Sequence, residues 1–151
     1  MKYKDVIIPF VEKGDYEVNI GLNYLETVLK EYEEDYGLEL NPDFQRGHVW
    51  TEEQQTAYME FFLRDGVTAR VIYFNCPYFM NGSIDDYNNG KYEMPMQCVD
   101  GLQRLTSIRR FLNNEIPVFG YYLNDFEDKD KLLKKWDLDS MLIILKLEKK
   151  S

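Results

Sequence analysis

The sequence holds little of what builds a metal or redox centre. Its 151 residues include two cysteines, Cys76 and Cys98, and one histidine, His48. The cysteines stand at no close ligand spacing and no histidine pair accompanies them. That argues against zinc and leaves free thiols of a reducing compartment. Positive charge is also short: 18 Lys and Arg face 27 Asp and Glu, a formal net charge of −9. A chain of that sign repels a phosphate backbone as a whole, so DNA binding would be weak and confined to a local basic surface. Long apolar runs are missing too. The N-terminal run 6–10 (VIIPF) passes directly into Val11, Glu12 and Lys13, which is no export signal, and no stretch is long enough to cross a bilayer. A cytoplasmic globular protein with no membrane partner is expected, and there the Asn81-Gly82-Ser83 sequon receives no sugar.

What the chain does have is apolar and aromatic bulk. Hydrophobic residues make up 44% and aromatics 15%, with 12 Tyr and 9 Phe. That excludes disorder and supplies a core for a single domain over residues 1–151. No internal repeat or low-complexity linker divides it.

Residues 16–19 (YEVN) alternate weakly, as a short strand does. From Ile20 onward, Leu22, Leu25, Val28, Leu29, Tyr32 and Tyr36 share a helical face that Gly37 terminates, with Glu31, Glu33, Glu34 and Asp35 on the solvated side. Residues 38–50 (LELNPDFQRGHVW) are irregular, since Pro42 and Gly47 forbid a long element. Phe44 reads there as a core anchor and Trp50 as a packing residue. Thr51-Glu52-Glu53-Gln54 has the capping-box pattern, and Gln54, Ala57, Tyr58, Phe61 and Phe62 continue a helix that Gly66 is expected to end.

Residues 70–75 (RVIYFN) and 92–99 read as strands, the second at an edge or bulge because of Pro95. Between them, 77–90 reads as a loop around a hairpin. Leu102, Leu105, Ile108, Phe111 and Leu112 mark the core face of another helix. Residues 116–122 (IPVFGYY) read as a strand, 126–135 as a charged helix, and 141–147 (MLIILKL) as a buried strand or helix. Intermixed elements of this kind predict an α+β fold, a small mixed sheet with packed helices.

The turn Asp100-Gly101-Leu102-Gln103-Arg104 supports more than one reading. Asp100 as N-cap and Gln103 three residues on form a capping pattern, reason enough for both residues, and Arg104 would then be an ordinary exposed side chain. The same geometry also exposes backbone N–H groups at the positive end of a helix dipole. Gly101 there admits close approach of an anion, and Arg104 lies within reach to fork onto a phosphate. Asp100 would repel that phosphate unless Mg²⁺ lies between them or the carboxylate orients a water. A second Gln-Arg pair, Gln45-Arg46 in the irregular segment, favours the functional reading, because loops held by regular elements commonly carry function. His48, the lone histidine, reads as a satisfied surface or core residue rather than a general base.

Together NPDFQRGHVW and VDGLQRLTSIRRFL resemble the GmrSD-type N-terminal family, whose members carry a Phe-Gln-Arg segment with a nearby Trp and then an Asp-Gly-Gln-Gln-Arg motif. The resemblance covers residues 16–122 and leaves 123–151 as an atypical C-terminal tail. It implies a ParB/sulfiredoxin-like fold and nucleoside triphosphate binding in restriction of modified or foreign DNA. Gln45, Arg46, Gly101, Gln103 and Arg104 would hold the nucleotide, and Asp100 would be the catalytic or Mg²⁺-binding carboxylate. Leu102 stands where the family has its first glutamine, which also excludes the sulfiredoxin cysteine chemistry. The family's later Asn-Gly segment has no counterpart in LDSMLIILKLEKKS, as expected of a shortened or atypical copy, and no His-Asn-His nuclease motif occurs.

The combined reading is a nucleoside triphosphate-binding domain of a phage or restriction-related protein, with weak Mg²⁺-dependent hydrolysis as its candidate activity. The alternative is a non-enzymatic interaction or DNA-associated module, with Arg104, Arg109 and Arg110 as its basic patch. The apolar run 141–147 suggests a further one, a structural phage protein that forms homo-oligomers.

Overall fold

The computed structural model describes residues 1–7, 16–40, 49–64, 71–92, 94–135 and 137–146. Four strands form one mixed sheet in the order β1-β4-β2-β3: β1 (Tyr16–Gly21), β2 (Ile72–Asn75), β3 (Gln97–Asp100) and β4 (Asp137–Leu145). β4 runs antiparallel to β1 and parallel to β2, and β2 runs antiparallel to β3. The last strand in sequence therefore lies inside the sheet, bonded on both edges. This is where most of the apolar run 141–147 goes: Ile144 and Leu145 are buried, with Ile144 opposite Phe74 and Leu145 opposite Asn75.

Helices α1 (Leu25–Tyr36), α2 (Glu52–Leu63), α3 (Ile84–Asn88), α4 (Leu102–Leu112) and α5 (Lys129–Lys135) complete the α+β fold. α1 buries Leu25, Leu29 and Tyr32, while Glu31, Glu33, Glu34 and Asp35 stay in solvent. It ends at Gly37, whose left-handed backbone (φ 67°) lets its N–H reach Glu33 O at 3.0 Å while the Leu38 N–H reaches Tyr32 O at 3.2 Å. α2 starts with the expected box: the Gln54 N–H donates to Thr51 Oγ1 at 3.2 Å, and the Thr51 N–H donates to Gln54 Oε1 at 2.9 Å. Its core face is Gln55, Met59 and Phe62. Among the described residues no helix is long and apolar enough to cross a membrane.

Several expectations are corrected. The helical face from Leu22 begins as a 3-10 turn, Leu22–Tyr24, before α1. α2 stops at Leu63, with Arg64 as its cap, ahead of Gly66, which lies outside the described residues. The loop 77–90 contains α3, opened by a Ser83/Asp86 capping box. Among the described residues of the 92–99 segment, strand begins at Gln97 and runs on to Asp100, because the backbone of Met96 is spent elsewhere: its N–H donates to Tyr36 O and its carbonyl accepts from the Glu39 N–H. The charged helix begins at Lys129 rather than Phe126. Residues 116–122 form no strand beyond a single bridge between Val118 and Tyr121, since Pro117 has no N–H to give a ladder and Phe119 and Gly120 turn the chain at positive φ.

Candidate functional site: the turn between β3 and α4

The turn begins where β3 leaves the sheet. Asp100 is still in the ladder, opposite Tyr73, so its backbone is extended and committed to strand pairing. Gly101 makes the reversal with φ 94°, and it, not Asp100, is the N-cap of α4. This corrects the expected cap: no side chain caps the helix, and the first closed turn runs from the Leu105 N–H to Gly101 O at 2.9 Å. Gly101 is needed for more than its dihedral. A Cβ there would lie 3.2 Å from Ile72 Cγ1 and 3.3 Å from both Ile72 Cα and Val71 O, so the turn presses against the β2 backbone.

The side chains released from capping work at longer range. Gln103 Oε1 accepts the Trp50 N–H at 2.9 Å, which ties the end of the 38–50 segment to α4. Trp50 packs as expected, its ring 5.6 Å from that of Tyr58. Arg104 is partly buried; its Nη1 donates to Val71 O at 2.8 Å and its Nη2 lies 3.4 Å from Asp100 Oδ1, with the carboxylate largely exposed. Leu102, Leu105, Ile108 and Phe111 are buried, and Leu112 is half-buried.

The other arginines of α4 brace it on both sides. Arg109 grips Glu26 of α1 at 2.7 and 3.1 Å, and that pairing holds its pKa above the ordinary value. Arg110 reaches α2, with Nη1 on Gln55 Oε1 at 2.5 Å and Nη2 on Glu52 Oε1 at 3.1 Å, and it also lies 3.8 Å from Glu115. Each arginine of the expected basic patch thus faces a carboxylate. Along α4 runs a cleft of about 320 Å³, apolar at Leu40, Leu102 and Leu105 and polar at Thr106, Arg109 and Arg110.

Gln45, Arg46, Phe44 and His48 lie outside the described residues. Among the described residues, no group of three or more His, Cys, Asp or Glu side chains is placed to hold a metal ion. Cys76 and Cys98 are buried and not joined in a disulfide, and burial pushes the pKa of both thiols up to about 12. The contacts of Gln103 with Trp50, Arg104 with Val71 and Arg109 with Glu26 carry no local signal in the sequence, because each joins residues from separate elements.

A mixed sheet with an uncapped strand-to-helix turn defines the class of domain, and comparison then supplies the family. The family model of the GmrSD restriction endonuclease, N-terminal domain, matches residues 25–150. The chain belongs to this restriction-related family, and the match takes in every element from α1 through β4. No curated protein and no solved structure matches the chain.

Proposed function

We propose that this chain is the nucleoside triphosphate-binding domain of a phage or restriction-related protein, and that the β3–α4 turn receives the phosphates. The observation that carries the reading is the helix start at Gly101. It has no side-chain cap, a left-handed glycine pressed on β2, and Arg104 one turn on. Backbone N–H groups left unspent at such a start, together with the helix dipole, favour an anion. The Gln103–Trp50 bond supports a shared site, because it moors the segment that carries Gln45 and Arg46 to the same helix.

Asp100 is the one carboxylate of the turn. A protein cage of three carboxylates is not what the turn offers, but Mg²⁺ carried by phosphates needs only one or two. Asp100 would be its protein ligand, and bound Mg²⁺ would neutralise charge on the phosphates and so assist weak hydrolysis. The DNA-associated alternative gains no support from α4, since Arg109 and Arg110 of its basic patch are held by Glu26 and Glu52.

Isothermal titration against the four nucleoside triphosphates, with and without Mg²⁺, tests the reading. Wild type is expected to bind at least one of them, more tightly with Mg²⁺. Asp100→Asn is expected to lose the Mg²⁺ dependence. Arg104→Ala is expected to weaken binding about tenfold or more, through loss of a charge-assisted bond of roughly 1.5–3 kcal/mol. Because Arg104 also holds Val71 O, melting is followed alongside. Absence of binding by wild type to any triphosphate would reduce the turn to a structural joint.

A further inference from the structure

A tight turn beside α2 carries the exposed aromatic side chains Phe119, Tyr121 and Tyr122. Val118 and Tyr121 exchange backbone hydrogen bonds at 2.8 Å in each direction, closing a turn whose central residues, Phe119 and Gly120, have φ 50° and 82°. Positive φ at both central positions is the type I′ signature, for which Asn-Gly or Asp-Gly is the favoured pair. A bulky Phe is strained there. Its ring remains 52% exposed, and Tyr121 and Tyr122 follow at 58% and 40%. The tip is held to α2 by Glu60, whose carboxylate accepts the Phe119 N–H at 2.6 Å.

Between the tip and α2 lies a groove of about 420 Å³. Pro117, Tyr122 and Ala57 give it an apolar floor, and Glu52, Glu53 and Glu60 give it carboxylates. Among the described residues no basic side chain lines it. Glu52 is paired with Arg110, whereas among the described residues Glu60 meets a neutral N–H at the tip. Phe61, one turn beyond Ala57 on α2 and 48% exposed, extends the apolar strip.

We propose that this groove docks a cationic segment of a partner protein, with Arg or Lys side chains on Glu53 and Glu60 and apolar or guanidinium faces on Phe119 and Tyr122. Charge complementarity selects this occupant. The carboxylates repel nucleic acid and acidic peptides, while arginine both pairs with carboxylates and stacks on aromatic faces. The strained Phe119 is then explained by binding, which is where side chains costly to the free fold are retained. The inference is independent of the nucleotide reading, for the groove lies on α2 and the 117–122 turn.

The test uses the full chain and a labelled short peptide that alternates arginine with leucine, followed by fluorescence anisotropy beside a counterpart with glutamate for arginine. The arginine peptide is expected to bind and the glutamate peptide not to. Phe119→Asn installs the residue the turn prefers, so it is expected to keep or raise the melting temperature while weakening peptide binding about tenfold or more. Glu53→Lys is expected to weaken it similarly. Glu34→Lys makes the same charge change on the exposed face of α1 and is expected to leave affinity near wild type. Equal weakening by Glu34→Lys and Glu53→Lys would mean attraction to net charge alone and would overturn the proposal. So would unchanged binding by Phe119→Asn, or a lowered melting temperature, which would make Phe119 a packing residue. Self-association abolished by Phe119→Asn would assign the groove to a second copy and likewise overturn it.

Discussion

The starts of α2 and α4 share a sequence pattern and use it in opposite ways. At α2, Thr51 and Gln54 close on each other, and both bonds stay within a single turn. At α4, Asp100 and Gln103 have the same spacing and make no such box. Gly101 takes the cap position, Asp100 stays in β3, and Gln103 reaches across to the Trp50 N–H, the residue just before the α2 cap. Consecutive N–H groups of Trp50 and Thr51 are thus satisfied by glutamines from different helices. A capping pattern therefore caps only where the chain before it is free to adopt cap geometry. When the preceding residue is locked in a sheet, the same side chains become free to join distant segments or to meet a ligand.

The sharpest break of this comparison is Gly101→Ala. The substitution meets φ 94° and a fixed backbone within 3.3 Å, so it should cost on the order of 3 kcal/mol in urea unfolding. Gly120→Ala supplies the control. Its φ of 82° is equally positive, but nothing lies within 4 Å of the added Cβ, so the loss should be about 1 kcal/mol. Equal losses would mean that dihedral strain alone, and not contact with β2, makes α4 begin with glycine.

Alkaline titration separates the two starts next. The Cys98 thiol donates to Asp100 O at 3.7 Å, directly under α4, and burial raises its pKa from 9.0 to about 12. Between those values the unfolded chain binds fewer protons than the folded one. Stability is therefore full below pH 9.0 and falls as pH climbs towards about 12. Cys76, raised equally, adds a parallel loss, so the informative quantity is the difference between wild type and Cys98→Ala, whose alkaline fall should be shallower. Thr51 and Gln54 carry nothing that titrates in this window. Identical alkaline profiles for wild type and Cys98→Ala would detach the thiol from the stability of the fold.

What could be read from sequence followed the range of the interaction that decides it. Gly37 ending α1 and the Thr51 box opening α2 depend on residues within one turn, and both were legible. The apolar face of α4 was legible for the same reason, and so was the mixed α+β character. Asp100 was misread because its conformation is set by Tyr73 in another strand. In the segment 116–122, Ile116 and Val118 are buried on either side of Pro117 as in a strand, yet 119–122 are all exposed because the chain reverses at Phe119 and Gly120. The interior place of β4 and the Glu26–Arg109 brace arise from pairings between separate elements, which no local pattern encodes. At the candidate site, the grouping of Asp100, Gly101, Gln103 and Arg104 was legible as a motif, whereas the attachment of each side chain was not.

Removing the long-range glutamine should cost less than Gly101→Ala. Gln103→Ala leaves the part-buried Trp50 N–H without its acceptor, a loss of about 1 kcal/mol, while Gln54→Ala opens an exposed bond that water can replace and should cost only a few tenths, roughly. Loss of nucleotide affinity in Gln103→Ala beyond that expected from its melting temperature would link the mooring of the 38–50 segment to the site. An equal cost for both glutamines would erase the distinction between a local and a bridging role.

The smallest effect is the most discriminating, because the two readings of Asp100 differ in it. As an N-cap, Asp100 would resemble Thr51, and alanine at either position would cost about 1 kcal/mol. Of these two residues Thr51 accepts a cap bond, whereas Asp100 makes a 3.4 Å contact with Arg104 from a side chain that is 63% exposed. Exposed pairs of that kind contribute a few tenths of a kcal/mol, roughly, and salt screens them. Thr51→Ala should therefore lower stability by about 1 kcal/mol in urea unfolding, with Asp100→Ala close to wild type and closer still in high salt. If Asp100→Ala matched Thr51→Ala, the helix would be capped in solution by the carboxylate. The carboxylate would then occupy the helix start where the phosphate is proposed to sit, and the functional reading of Gly101 would fall with it.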